Sequence, residues 1–212
     1  MTPSLPKIAG YQLPAAADVP AARVPWQPER RRVALLIHDM QNYFVGAFRD
    51  PEPIQQAIAN IAALRERCDA ADVPVFYTAQ VGDQDQRDRG LQRYFWGPGM
   101  PAANGQPEIV SELAPRTGDI VLEKWRYSAF QRTTLEARMR ARGRDQLIVC
   151  GIFAHIGVLL TAADAFMHDI EPFVAADGVA DFSRQKHDLA LSYAAERCAV
   201  PMTTAALSES LR

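Results

Sequence analysis

Short runs of consecutive apolar residues constrain this chain more than any other feature. Val33-Ala34-Leu35-Leu36-Ile37 offers no polar residue for a wet face. A half-exposed strand alternates apolar and polar residues, so an unbroken run reads as a strand covered on both faces. Pro74–Ala79, Ile120–Leu122, Leu147–Cys150, Phe173–Ala176 and Val200–Thr204 read as five further strands. Helical segments lie between them. Ile54, Ile58, Ile61 and Leu64 fall at helical spacing within 54–71. Leu135–Arg142 stops near Gly143, and 158–168 and 187–198 are also helical.

Strands alternating with helices predict an α/β fold: a three-layer α/β/α arrangement around a six-stranded, mainly parallel sheet with right-handed crossovers. No repeat or second unit is visible, so residues 1–212 read as a single domain. Residues 1–32 hold several prolines and little periodicity, and read as an extended N-terminal arm on the body. Periodicity leaves the strand order open. Residues 80–118 form a long connection, and a loop of that length is usually functional or disordered. Tyr94-Phe95-Trp96 argues for an ordered one.

Composition removes several classes of function. A net charge of -2 gives no basic field for nucleic acid, and Arg30-Arg31-Arg32 reads as a solvated flank. No apolar stretch reaches the roughly 20 residues that cross a bilayer. Met1–Pro6 lacks the charged and apolar regions of a secretion signal. Cys68, Cys150 and Cys198 are far apart, and neither they nor the four histidines show metal-ligand spacing. Cys150 and Cys198 read as small core residues. With no phosphate-binding glycine loop either, the expectation is a reduced cytoplasmic protein without metal or cofactor.

Chemistry is expected beyond the carboxyl ends of the strands, where open α/β sheets bind ligands. Asp39 ends the first strand. Burial there raises a carboxyl's pKa and a nearby ammonium lowers it. A turn or N-cap carboxylate is an equally good reading from position alone. Lys124 directly follows the third strand. Alone it reads as a surface lysine, but with Asp39 it shares one rim, where an ammonium can orient a carboxylate and an anionic substrate. Gln80 ends the second strand. Arg87, Arg89 and Arg93 lie in the loop after it, and composition does not choose among them. Phe95–Met100 reads as loop packing rather than a site wall. His155 has no Cys or Ser beside it and reads as a hydrogen-bonded structural histidine, as do His38, His168 and His187. Gly151–Leu159 makes a strand-to-helix turn with no nucleophile in it.

These pieces together closely resemble the isochorismatase family. The matching stretches are Leu35–Gln41, Tyr77–Gln80, Phe95–Gly99, Lys124–Phe130, Gly151–Gly157 and Ala180–Ser183, and the likeness runs from about Leu5 to Thr204. The resemblance implies a Rossmann-like hydrolase sheet and metal-free cleavage of a vinyl ether. The implied substrate is isochorismate or 2-amino-2-deoxyisochorismate, with release of pyruvate, in phenazine, hydroxyanthranilate or siderophore biosynthesis. It makes Asp39 the acid and Lys124 its partner. Substrate contacts are assigned to Gln80, Arg89, Phe44, Trp96, Tyr127, Phe153 and Gly157. Arg89 is chosen because Arg89-Gly90-Leu91 matches the phenazine-type pattern. Gly157 stands where relatives with amidase activity carry Cys, and its N–H is placed to hold a substrate carboxylate. The resemblance also implies a cis peptide at Ile152–Phe153 and a homodimer.

Many relatives carry Tyr where this chain has Phe153, so a hydroxyl is missing there. Two rival readings follow. A cysteine-hydrolase-like amidase is disfavoured by Gly157, since glycine cannot be acylated. A carrier-protein-docking partner is disfavoured because the chain reaches Arg212 soon after the sixth strand. That ending makes a stand-alone enzyme the expectation and leans the reading towards the amino substrate.

Overall fold

The computed structural model describes residues 5–212, so the part of the secretion-signal reading and of the arm that falls on 1–4 lies outside the described residues. Six strands form one sheet: β1 (Val33–His38), β2 (Val75–Ala79), β3 (Ile120–Glu123), β4 (Gln146–Ile152), β5 (Glu171–Ala180) and β6 (Val200–Met202). Their order is β3-β2-β1-β4-β5-β6, and every neighbouring pair is parallel. The chain lays strands outward from β1 to β3, then returns to place β4 on the other side of β1. A crevice opens at such a reversal, outside the carboxyl ends of the strands.

Alternation along β1 builds two cores. Val33, Leu35 and Ile37 face a layer containing α2 (Ile54–Ala70) and α8 (Thr204–Ser210). Ala34 and Leu36 face α5 (Leu135–Arg140), α6 (Leu159–Met167) and α7 (Arg184–Arg197). All six residues of β1 are buried, which is why its sequence carries no polar alternation.

Several boundaries moved for local reasons. The helix expected from His187 starts at Arg184, because the Ser183 hydroxyl accepts from the Lys186 N–H and caps it. The strand expected to reach Thr204 ends at Met202, because Thr203 caps α8 by accepting from the Ala206 N–H. The long connection is ordered and carries α3 (Gln86–Arg89) and α4 (Gln92–Trp96), while α1 (Asn42–Val45) follows β1. A π-helical turn, Ala154–Val158, leads into α6.

The N-terminal arm is pinned at separate points. Ile8 is buried and pairs with Phe48 in an isolated parallel bridge. The Tyr11 hydroxyl accepts from the Asp181 N–H at 2.7 Å and lies 3.1 Å from His187 Nδ1. Among the described residues, no helix is long and apolar enough to cross a membrane.

Gly151 sets how closely β4 approaches the end of β1. Its φ of 103° lies in the left-handed half of conformational space, and a Cβ there would overlap the His38 carbonyl oxygen. Gly118 has a similar φ of 97° but open space around it. Gly151→Ala is therefore expected to destabilise the fold by at least about 3 kcal/mol, strain and overlap together. Gly118→Ala should cost about 1 kcal/mol, from backbone strain alone. Urea unfolding followed by circular dichroism measures both, and equal losses would contradict this account.

Candidate active site

Asp39 leaves β1 with φ 51°, a left-handed conformation that Asp adopts more readily than most residues. That turn aims its carboxyl back over β2. Thr78, register partner of His38, donates its hydroxyl to Asp39 Oδ1 at 2.6 Å and accepts from the Asp39 N–H at 3.1 Å. From the far side of β2, the Lys124 N–H donates to Ala79 O at 2.9 Å, which fixes the start of its side chain. Lys124 Nζ then donates to Asp39 Oδ2 at 2.7 Å. Gln80 Nε2 lies 3.5 Å from the same oxygen. Gln41 holds Gln80 in place, donating to its carbonyl and accepting from its N–H, both at 2.8 Å.

Asp39 and Lys124 are 5% and 2% exposed, so this is a buried ion pair. Burial pushes the Asp39 carboxyl up. The Lys124 ammonium and the hydrogen bonds from Lys124 and Thr78 outweigh it, holding the carboxyl below the usual range. Burial also pushes the His38 imidazole towards its neutral form, so Lys124 is the charge that decides. The balance left open by sequence thus falls to the carboxylate.

A second cation stands nearby without an acid. Arg89 is 5% exposed, donates Nε to Gly97 O at 2.7 Å, and joins no ion pair among the described residues. Burial alone pulls its pKa down, and a guanidinium stays charged regardless. Arg87 and Arg93 are exposed, so only Arg89 of the three is built into the site.

Asp39, Lys124, Gln80, Arg89, Phe44, Trp96, Tyr127, Phe153 and Gly157 all line one cavity. The reading of Phe95–Met100 as mere packing is corrected: Trp96, Gly99 and Met100 are wall, while Phe95 is exposed. Trp96 Nε1 donates to the Tyr127 hydroxyl at 2.7 Å, and Phe153 packs on Phe182 with centroids 4.5 Å apart. The Ile152–Phe153 peptide is cis. His155 keeps a structural role, with Nδ1 2.6 Å from the buried carboxylate of Asp181. His38, read as structural, proves to border the cavity. Thr78 and Gln41 were missed because each acts through a partner distant in sequence; Phe182 lines the cavity itself but carries no polar group that marks it in sequence. The three cysteines are buried and none lines this cavity. Among the described residues, no cluster of His, Cys, Asp and Glu could hold a metal ion.

The arrangement offers a carboxylate fixed between an ammonium and a hydroxyl, an unpaired guanidinium for an anion, and apolar walls. It offers no side-chain nucleophile at the turn. Comparison with known proteins agrees in kind. The isochorismatase domain model matches residues 33–206. The chain is 51% identical over 210 residues to the isochorismatase of Bacillus subtilis, covering 99% of this chain and 67% of that protein. It is 49% identical over 201 residues to phenazine biosynthesis protein PhzD1 of Pseudomonas aeruginosa, covering 94% and 96%. A solved cysteine hydrolase from Pseudomonas syringae superposes with a TM-score of 0.79 at 24% identity, covering 91% and 97%; that likeness speaks to fold alone.

Breaking a buried ion pair on one side leaves an uncompensated charge, at about 3–5 kcal/mol. Asp39→Asn and Lys124→Met should each cost that much, and the double variant should cost less than either. Chemical denaturation at neutral pH measures this, and additive losses would contradict the pairing. Because the folded Asp39 carboxyl is depressed, its stabilisation is complete above its unfolded pKa of about 3.9 and is lost as pH falls through the lower folded value. Asp39→Asn should therefore flatten the acid limb of stability.

Proposed function

This chain belongs to the isochorismatase family, and from that premise we propose that it hydrolyses the enolpyruvyl vinyl ether of isochorismate or 2-amino-2-deoxyisochorismate. The observation that carries the reading is the buried Asp39–Lys124 pair facing a cavity with a glycine at 157 and an unpaired Arg89. The relatives point the same way: one is an isochorismatase and another is a phenazine biosynthesis protein.

A vinyl ether resists water until its terminal methylene carbon takes a proton. Asp39 in its acid form is the donor. Proton transfer to carbon turns the methylene into a methyl group and leaves an oxocarbenium ion at the ether carbon. Water adds to that carbon and returns a proton to the Asp39 carboxylate. The resulting hemiketal breaks its bond to the ring oxygen, giving pyruvate and the ring alcohol: 2,3-dihydro-2,3-dihydroxybenzoate or trans-dihydro-hydroxyanthranilate. No acyl-enzyme is needed, so a glycine at 157 is no handicap.

The resting carboxylate must first gain a proton. Arg89 and Lys124 give the cavity two cations against one carboxylate, which favours a dianionic substrate. A substrate carboxylate drawn to Lys124 competes with Asp39 for the ammonium. Loss of that partner, with a second negative charge close by, raises the Asp39 pKa and loads the acid. Proton donation by a positioned carboxyl contributes about 10²–10⁴-fold to rate.

Incubation with each substrate, with pyruvate release coupled to lactate dehydrogenase, tests the reading. Asp39→Asn should lower kcat by about 10²–10⁴-fold while substrate affinity persists. Arg89→Met should raise KM by about 10–100-fold, the worth of a charge-assisted hydrogen bond. Near-normal pyruvate release from Asp39→Asn, or nicotinamide hydrolysis by a protein inert to both ethers, would overturn it.

A further inference from the structure

Behind the reacting pair stands a side chain that this chemistry has not used. His38 ends β1, is fully buried and forms part of the cavity's back wall. Its ring spans two segments that are remote in sequence. Nδ1 lies 2.8 Å from Ile152 O at the end of β4, and Nε2 lies 3.3 Å from Tyr127 O, three residues after Lys124. Nδ1 is also 3.7 Å from Asp39 Oδ2. A neutral imidazole carries one N–H, and the shorter contact, to Ile152 O, takes it.

The same ring governs residue 157. A Cβ on Gly157 would overlap Cε1 of His38 and stand 2.7 Å from Nε2. Its φ is not left-handed, so backbone conformation does not require glycine there. The imidazole does, because it occupies the space that any side chain at 157 would enter.

We infer that His38 is the positioning residue of the acid: its ring fills the space that a side chain at 157 would enter and, donating from Nδ1 to Ile152 O, ties the end of β4 to the end of β1 that carries Asp39. The kinetic part of this inference rests on the vinyl-ether reading. The steric part does not. A merely structural histidine would alter stability without a selective effect on turnover.

Two sets of variants test it. In the first, Gly157→Ala is made in the wild-type and His38→Ala backgrounds, and melting temperatures are compared. The methyl group should lower the melting temperature clearly in wild type and much less where the ring is gone; equal losses would overturn the steric pairing. In the second, His38→Ala should lower kcat by about a hundredfold, as misplacement of a reacting group does. KM should stay within about threefold. His38→Asn places an amide N–H where Nδ1–H stood and should recover most of the loss, whereas His38→Gln reaches the Nε2 position and should not. Undiminished kcat in His38→Ala, or equal loss in the Asn and Gln variants, would overturn the positioning role.

Should His38→Ala not fold, a two-bond ¹H–¹⁵N spectrum of the wild type supplies a variant-free check. It should show the His38 proton on Nδ1, and a proton on Nε2 alone would overturn the clamp. Steric coupling in the melting temperatures of a protein inert to both ethers would count against the proposed substrate and not against the His38–Gly157 pairing.

Discussion

Everything at the mouth of this sheet is arranged around two opposite charges withdrawn from water. A buried ion pair recovers its desolvation cost only when geometry is good and the remaining lone pairs are satisfied. Asp39 meets that demand with Lys124 on one oxygen and Thr78 on the other. Parallel pairing supplies the geometry: β1, β2 and β3 end on one rim, so residues 39, 78 and 124 converge although 85 positions separate the first from the last. An apolar pair would hold the rim at lower cost. The charges are intelligible as equipment for a reaction.

That equipment is unbalanced on purpose in the proposed chemistry. Two buried cations face one carboxylate, and the cavity completes its neutralisation only with an anion in place. Binding and activation then become one event. The anion that occupies Arg89 and draws on Lys124 also removes what keeps Asp39 ionised. A resting acid that is ionised until substrate arrives is consistent with a pair this deeply buried.

The fold was readable because the central strands β1 and β4 are covered on both faces and their runs are apolar. Val33–Ile37 and Leu147–Cys150 could be little else. Strand order was not readable, since side-chain period says nothing about neighbours. Capping by Ser183 started one helix three residues early and capping by Thr203 ended a strand short, a local contest that periodicity does not record. The site was half legible. Asp39 and Lys124 stood out as charges at strand ends, and family likeness separated Arg89 from Arg87 and Arg93. The supporting residues did not stand out. Thr78 and Gln41 are ordinary polar residues until the register of β1 and β2 sets them beside Asp39 and Gln80. His38 looked structural because no Cys or Ser stands beside it, and no sequence motif marks the carbonyl oxygen it bonds.

The central claim is that an anionic ligand loads the acid. Calorimetric binding of a substrate analogue with its vinyl group reduced, repeated at neutral pH in buffers of different ionisation enthalpy, reads the protons taken up. The account predicts uptake of close to one proton by the wild type and none by Asp39→Asn. Binding that leaves the proton count unchanged in the wild type would contradict it.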